Sequence, residues 1–134
     1  MVQEFQVTKL DIKADERGWL AEVLRAEQLG SRQQFGQFLV STSHPGVIRG
    51  NHYHTRKSEW FCALNGQGKL ILEENNTRLR QEIPLGEDNM ITVKIPPLVT
   101  HAIVNTGQET MYLLVYVDEP FNAEDPDTLT KKII

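Results

Sequence analysis

The chain has 134 residues, of which 40% are hydrophobic and 24% charged, the composition of an ordinary folded domain. Fourteen basic and eighteen acidic residues leave a formal net charge of −4, which argues against the basic face of a nucleic-acid-binding protein. There is one cysteine and hence no intrachain disulfide, and no signal peptide or apolar run of the ~20 residues of a membrane helix is visible. We therefore expect a single cytoplasmic domain over residues 1–134, with no membrane or nucleic-acid partner.

Short apolar or alternating runs, divided by Gly, Pro, Asn or Asp, recur along the chain and predict about ten β-strands. In chain order the predicted strands are 5–12, 18–24, 34–41, 47–54, 59–64, 68–72, 77–83, 90–95, 101–105 and 110–117. Only residues 26–30 look helical, for a single turn. Because no long helices separate the strands, the pattern favours an all-β fold: a sandwich, a barrel or a jelly roll.

Two connecting segments have residue patterns that predict their structure. Asn65-Gly66 predicts a tight hairpin between strands 59–64 and 68–72, because both residue types tolerate positive φ. Residues 118–127 are rich in Pro, Glu and Asp, and we expect them to form an irregular tail over the body before a short final segment.

Three of the four histidines lie in two clusters. His52 and His54 alternate in a predicted strand, so both project from one face. A hairpin after the next turn would return Glu59 to that same face, while His101 opens a later strand. Two imidazoles and a carboxylate suit a borderline divalent metal. The alternatives without a metal are a His-x-His pair that faces solvent and, at position 101, a structural histidine held by hydrogen bonds.

Together the two clusters resemble the two motifs of the cupin family. The first motif, G-x5-H-x-H-x4-E-x6-G, is matched over residues 46–66 with every spacer kept. The second is matched in part, by Pro96, His101 and Asn105, with Leu98 where the motif has glycine. The resemblance implies an all-β double-stranded β-helix, a jelly-roll barrel, that binds one divalent metal, expected to be zinc. The implied ligands are His52, His54, Glu59 and His101.

A closer resemblance covers nearly the whole chain. The sequences D-E-R-G-W-L-A-E at 15–22, the stretch 40–54, and Phe121 followed by D-P-D-T at 125–128 are similar to one group of proteins. That group is the C-terminal cupin domain of the bifunctional reductase/epimerase that makes a UDP-N-acetyl-6-deoxyhexosamine for capsular polysaccharide. The D-x-R-G and R-G-x-H elements also resemble dTDP-4-dehydrorhamnose 3,5-epimerase, and residues 49–72 resemble the dTDP-4-keto-6-deoxyhexose 3,4-ketoisomerases.

These resemblances imply epimerisation at C3, or at C3 and C5, of a 4-keto-6-deoxy nucleotide sugar by enolisation. The substrate-binding residues they imply are Arg17, Glu22, Arg49 and Asn51. The proton carriers favoured are Lys57 and Tyr53, with Tyr112 and Tyr116 as further candidates. His52 stands at the position of the catalytic base of the 3,5-epimerases, but a metal-bound imidazole has no free lone pair. The complete ligand set therefore favours His52 as a ligand.

Several alternatives and partners accompany this hypothesis. A 3,4-ketoisomerase, a non-catalytic sugar- or metal-binding cupin subunit and a small metal-dependent oxygenase are the competing functions. The chain contains no G-x-x-G-x-x-G dinucleotide fingerprint, so a separate short-chain reductase is the expected partner for reduction. A homodimer is expected because short strands leave edges that need covering, with residues 2–10 as the segment that abuts or exchanges.

Overall fold

Alternating apolar residues build two antiparallel sheets that face each other in the computed structural model, which describes residues 4–30 and 34–134. The strands are β1 (Gln6–Lys9), β2 (Lys13–Asp15), β3 (Gly18–Leu20), β4 (Gln37–Ser43), β5 (Ile48–Tyr53), β6 (Glu59–Ala63), β7 (Gln67–Glu74), β8 (Arg80–Gly86), β9 (Ile91–Ile95), β10 (Val99–Asn105), β11 (Met111–Val117) and β12 (Leu129–Thr130). One 3-10 turn, Ala26–Leu29, follows β3. Within the described ranges, no helix has the length and apolar character needed to cross a membrane.

The order of the strands confirms the all-β expectation. The first five-stranded sheet, sheet I, has the order β1-β9-β6-β11-β4. The second, sheet II, has the order β12-β5-β10-β7-β8. From β4 onward the chain passes back and forth between the two sheets, except at β7 and β8, which are neighbours in sheet II. This is the jelly-roll arrangement implied by the cupin motifs.

The core fills the space between the two sheets. In β11, residues Met111, Leu113 and Val115 point inward and are buried, while the alternate residue Tyr112 is exposed on the outer face. Leu72 from β7 meets them from the other sheet and is fully buried. Truncating such a residue to alanine costs about 2–5 kcal/mol, so this core holds the two sheets, and the residues between them, in place.

The outer face of sheet I is partly covered by the segment after β3. Cys62 on this face is fully buried with Leu10 and Met90, and Ala21 and Val23 pack against them. The lone thiol is therefore a small buried core residue on the face of β6 that points away from the barrel interior.

The Asn65-Gly66 hairpin prediction is wrong. β6 pairs with β9 and β11 in sheet I, whereas β7 pairs with β8 and β10 in sheet II, so this connection is a corner between sheets. Gly66 does take a positive φ, of 68°. The Asn65 side chain, however, donates to the Thr110 carbonyl and accepts from the Tyr112 amide, and so ends β6 against β11. The same residue types serve both kinds of turn, and local sequence does not distinguish them.

The N-terminal strands are also shorter than predicted. The stretch 5–12 becomes β1, which pairs with β9, and the stretch 18–24 contributes only β3, which pairs with β2. Within the described residues this β2–β3 hairpin pairs with no further strand, and its six residues are all exposed. Of the segment expected to meet a second subunit, Val2 and Gln3 lie outside the described residues.

Leu98, which stands where the cupin motif has glycine, takes a backbone conformation that favours glycine. Its φ is 65°, in the left-handed region where a Cβ atom crowds the following carbonyl. Its amide donates to the His54 carbonyl at 2.8 Å, so the turn also fixes the end of the His-x-His segment. The motif geometry before His101 is therefore kept, at the expense of backbone strain.

Replacing Leu98 with asparagine should relieve this strain. A side chain in the left-handed region costs roughly 1–2 kcal/mol, and asparagine tolerates it better than leucine does. Because Leu98 is 42% exposed, little packing is lost, and we expect thermal or urea unfolding to show a gain of about 1 kcal/mol. Leu79→Asn is the matched control, since Leu79 is 40% exposed and has no positive φ. Equal effects of the two substitutions would contradict the assignment of strain.

Candidate metal centre and cavity

Four side chains converge between the sheets near one end of the barrel. His52 lies in β5, His54 follows it, and His101 lies in β10, all in or beside sheet II. Glu59 opens β6 in sheet I, and its Oε1 lies 2.8 Å from His54 Nε2 and 3.0 Å from His101 Nε2. The expected hairpin that would return Glu59 beside the histidines is therefore wrong. The carboxylate reaches them from the opposite wall, and the four ligand atoms still lie within 4.8 Å of one another.

A β-bulge sets the direction of His52. His52 pairs with His101, but the next pair joins Gly50 to Ala102, so Asn51 is an extra residue in β5. Gly50 and Asn51 accordingly take positive φ values of 101° and 56°. A Cβ atom at position 50 would lie 2.7 Å from the His101 carbonyl oxygen, which explains why glycine stands there. The bulge thus brings β5 and β10 close enough for their histidines to meet.

Hydrogen bonds to backbone carbonyls orient two of the imidazoles. His54 Nδ1 donates to the Asp127 carbonyl at 2.6 Å, and His101 Nδ1 donates to the Val99 carbonyl at 3.1 Å. These bonds turn both Nε2 atoms toward Glu59. His101 Nε2 is buried and lies close to the carboxylate without hydrogen-bond alignment. A lone pair held in this way is what a metal-binding histidine presents, so the four residues fit a divalent metal ion.

The charge states of Glu59 and His52 favour the same conclusion. Burial raises the pKa of Glu59, but contacts with His101 and His54 outweigh burial and hold it well below its usual range. Burial lowers the pKa of His54, but the hydrogen bond to Glu59 and its negative charge outweigh burial and raise it. For His52, burial and the nearby His101 lower the pKa to about 4. Glu59 is therefore ionised and His52 neutral near pH 7, the forms in which carboxylates and imidazoles bind metals.

The cluster opens into a cavity of about 270 Å³ that polar and apolar side chains line together. Its charged and imidazole residues include Arg49, His52, His54, Lys57, Glu59 and His101. Its apolar residues include Leu39, Phe61, Ile103, Leu113, Val115 and Val117. This volume lies just below the roughly 300–1,000 Å³ typical of pockets for drug-sized ligands, so the cavity suits a small ligand or one part of a larger one.

Two of the other predicted site residues line this cavity. Lys57 is buried, and its Nζ donates to the Pro126 carbonyl at 3.0 Å and lies 5.8 Å from the centre of the Phe121 ring. Arg49 donates from Nε to the Thr42 carbonyl at 2.8 Å, which leaves its terminal nitrogens for a ligand. Both cations therefore line the same cavity as the histidines and Glu59.

The remaining predicted site residues lie elsewhere. Asn51 uses its side-chain amide to bond the backbone of residues 133–134, and Tyr53 alternates away from the two histidines. Arg17 forms an ion pair with Asp15 in the β2–β3 hairpin, and Glu22 pairs with Arg25. None of these four lines the cavity.

The two other tyrosines named as proton carriers also lie away from the cavity. Tyr112 is exposed on the outer face of sheet I, and Tyr116 is buried there with its hydroxyl accepting from the Gly36 amide. Sequence reasoning overlooked instead the tail residues Glu119 and Phe121, which line the cavity mouth. The sequence signal for this segment was Phe121 followed by D-P-D-T. The sequence alone did not show that the segment lines a cavity.

Comparison with known proteins places the chain among polysaccharide biosynthesis proteins. Residues 13–129 match the family described as Polysaccharide biosynthesis C-terminal domain. The chain is 34% identical over 115 residues to the UDP-2-acetamido-2,6-beta-L-arabino-hexul-4-ose reductase of Pseudomonas aeruginosa, covering 86% of this chain but 29% of the relative. It is 29% identical to the spore coat polysaccharide biosynthesis protein SpsL of Bacillus subtilis, covering 95% and 87% of the two chains. The probable low-salt glycan biosynthesis epimerase Agl13 of Haloferax volcanii is 26% identical, with 94% and 85% covered.

Solved structures confirm the cupin-type jelly-roll fold. The capsular polysaccharide assembling protein CapF of Staphylococcus aureus is 31% identical with a TM-score of 0.72, covering 92% of this chain and 34% of CapF. A dTDP sugar isomerase from Desulfovibrio desulfuricans has a TM-score of 0.87 at 20% identity, covering 98% and 85%. The 3,5-epimerase RmlC of Legionella pneumophila, in complex with dTDP-4-keto-L-rhamnose, has a TM-score of 0.85 at 20% identity, covering 99% and 75%. These similarities confirm the resemblances drawn from the sequence.

Loss of one ligand should empty the metal centre. Metal analysis of the purified protein is expected to show about one divalent ion per chain, and His54→Ala should lose most of it. The reason is that loss of a direct ligand weakens a site by more than the 10–100-fold typical of outer partners. His44→Ala is the matched control, because His44 contacts Thr110 away from the cluster. A metal-free protein with intact fold and full activity would refute the metal centre.

Proposed function

The chain belongs to the polysaccharide biosynthesis C-terminal domain family, and from that membership we propose that it epimerises a 4-keto-6-deoxy nucleotide sugar. The inverted carbon is C3, or C3 and C5. The observation that carries the proposal is the cavity itself, in which a His/His/Glu/His cluster and Lys57 line, together with apolar side chains, a space suited to one sugar ring. Relatives named as an epimerase and as a reductase of a 4-ulose sugar support it.

The chemistry needed is proton transfer beside a carbonyl. The hydrogens on C3 and C5 are acidic because the carbanion formed by their loss is delocalised onto the 4-keto oxygen as an enolate. Returning a proton to the opposite face inverts the centre, with no net oxidation or reduction. Each well-placed acid or base contributes about 10²–10⁴ in rate, so the proton carrier is the decisive residue.

Lys57 is the proton carrier that we assign. Its Nζ lies at the cavity wall with one donor engaged by the Pro126 carbonyl, which leaves two positions on the nitrogen for the substrate. The ring of Phe121 packs near the same nitrogen, and His54 and Glu59 line the wall beside it. A proton held there can move to or from a sugar carbon seated in the cavity.

We propose zinc as the ion held by His52, His54, Glu59 and His101. Two or three imidazoles with one carboxylate are a common zinc ligand set, and a bound ion of this kind polarises a carbonyl oxygen. His52 differs from the other two histidines, because neither of its ring nitrogens makes a hydrogen bond within the described residues. A free His52 base is therefore the one alternative arrangement, and His52→Gln separates the two: retained metal with lost activity would make His52 a base.

Arg49 is the residue that we assign to the substrate's phosphates. Its guanidinium lies at the cavity wall, and an arginine fork suits a diphosphate because it donates two parallel charge-assisted hydrogen bonds. The nucleotide itself would lie outside the cavity, near the tail residue Phe121. The product retains its 4-keto group, so a short-chain reductase is the partner that we propose for the following step.

Deuterium uptake tests the reaction directly. Incubation of the metal-loaded protein with a UDP- or dTDP-4-keto-6-deoxyhexose in heavy water, without reductase, should exchange the hydrogen at C3 or C5, as read by NMR. Lys57→Met should slow this exchange by about 10²–10⁴, as expected for loss of a general acid or base. Tyr53→Phe is the control that should leave it unchanged, because Tyr53 does not line the cavity.

The other outcomes of this experiment identify the competing functions. Binding of the nucleotide sugar without exchange above the uncatalysed rate would make the protein a non-catalytic sugar-binding cupin. Exchange that ends in a 3-keto sugar would make it a 3,4-ketoisomerase. Full activity of Lys57→Met would remove the assignment of Lys57 and leave the epimerase proposal standing.

We also propose that the protein acts as a homodimer in which each hairpin serves the other subunit's cavity. A two-stranded hairpin alone is marginally stable in water, and the β2–β3 hairpin exposes Trp19 and Leu20. Phe38 and Val40 are more than half exposed on the edge strand β4 and offer an apolar surface for a second copy. Arg17 in the hairpin lines no part of its own chain's cavity, and such an exchange would bring it to the partner's substrate.

Mixing two inactive variants tests this arrangement. Arg17→Ala and Lys57→Met should each be inactive alone, but a mixed dimer joins an intact Lys57 to an intact Arg17 from the other chain. Activity should therefore reappear on mixing, and sedimentation should give a dimer at micromolar concentration. A monomer, or no recovery on mixing, would refute the exchange.

A further inference from the structure

We infer that Asp127 is a positioning residue that aims His54 at the metal centre and holds the loop leading to Glu59, a role that rests on the metal site proposed above. Asp127 belongs to the D-P-D-T stretch of the tail, directly before β12. It is far from the histidine motif in sequence, yet it is buried against that motif. Two groups of Asp127 contribute to this role, the side-chain carboxylate and the backbone carbonyl.

The carboxylate of Asp127 organises the turn between the two halves of the first motif. Its Oδ1 accepts from the Thr55 amide at 2.9 Å and from the Thr55 hydroxyl at 2.6 Å. Its Oδ2 accepts from the Arg56 amide at 2.8 Å and from the Lys57 amide at 3.3 Å. Three consecutive amides after His54 thus converge on one carboxylate, which fixes where the chain turns toward Glu59.

The backbone carbonyl of the same residue acts on the imidazole. It accepts the 2.6 Å hydrogen bond from His54 Nδ1, and this bond directs Nε2 at Glu59. Asp127 has a φ of 48°, a conformation that most side chains disfavour but that aspartate tolerates. The four hydrogen bonds to its carboxylate hold that conformation and therefore the direction of the carbonyl.

The carboxylate and carbonyl contacts of Asp127 depend on each other. If the carboxylate is removed, the 55–57 turn loses its acceptor, and the carbonyl at 127 is free to rotate away from His54. The neighbouring Pro126 carbonyl, which accepts from Lys57 Nζ, would move with it. One tail segment would therefore position both His54, a proposed metal ligand, and Lys57, the proposed proton carrier. This positioning is the function that we assign to the D-P-D-T pattern.

Substitutions at two positions test the inference. Asp127→Ala removes the carboxylate and disfavours the positive φ, whereas Asp127→Gly removes the carboxylate but permits that φ. Thr55→Val is a milder change that deletes only the 2.6 Å hydroxyl contact and should fold even where the others do not. Asp125→Asn is the matched control, because Asp125 lies on the same tail but pairs with the side chain of Arg56 at the surface.

Two readouts are needed, one with Zn²⁺ and one without metal. Competition of Zn²⁺ against a chromophoric chelator should show affinity lower by about 10–100-fold in both Asp127 variants, as for loss of an outer partner of a ligand, and by less in Thr55→Val. NMR of the metal-free protein should show the His54 Nδ1 proton shifted or exchanging faster in the same variants. Asp125→Asn should leave both unchanged.

Each result has a defined meaning. Wild-type Zn²⁺ affinity in all the folded Asp127 and Thr55 variants would overturn the inference, and so would lower affinity with an unchanged His54 proton. Loss of affinity in Asp127→Ala alone, with Asp127→Gly like the wild type, would overturn the role of the carboxylate and leave only the backbone. If the wild type binds no Zn²⁺, the proposed metal site fails, while the NMR comparison still decides whether Asp127 orients His54.

Discussion

The structure is organised around one buried negative charge. Glu59 opens the central strand of sheet I, which is buried along its whole length, and an ionised carboxylate in such a place is unstable unless it is paired. Its partners come from the opposite sheet, as His54 and His101 approach the same carboxylate oxygen. The two sheets must therefore keep a fixed separation and register at this end of the barrel, and the apolar core behind Glu59 provides them.

Segments distant in sequence make the contacts that surround this charge. The bulge at Asn51 turns β5 toward β10, and the left-handed residue Leu98 returns the chain to His54. The tail then crosses the outside of sheet II, where the Asn51 side chain and Arg80 bond the backbone of residues 133–134. Several residues take positive φ near the cluster, so the local strain is concentrated where the groups must be aimed.

The sequence predicts the fold class and the four clustered side chains, because motif spacing and strand alternation are local properties. It does not predict how Glu59 reaches the histidines, since a turn that crosses between sheets and a hairpin use the same residues, as Asn65-Gly66 illustrates. It also does not predict the role of Asn51. The position of Asn51 in the motif suggests contact with a ligand, but its side-chain amide bonds the backbone of residues 133–134. The contact between Asp127 and His54 spans more than seventy residues, and only the assembled barrel brings them together.

The polar and apolar residues that line the cavity come largely from different strands. The charged and imidazole groups are supplied by β5, the turn after it, the start of β6 and β10, whereas most of the apolar lining comes from β4 and β11. The side chains of Leu113, Val115 and Val117 shape the cavity but make none of the hydrogen bonds that align the histidines. In evolutionary terms the barrel keeps the hydrogen-bonded cluster apart from most of the side chains that give the cavity its shape, so conservative substitutions along β11 are a route by which related chains can change the ligand that fits.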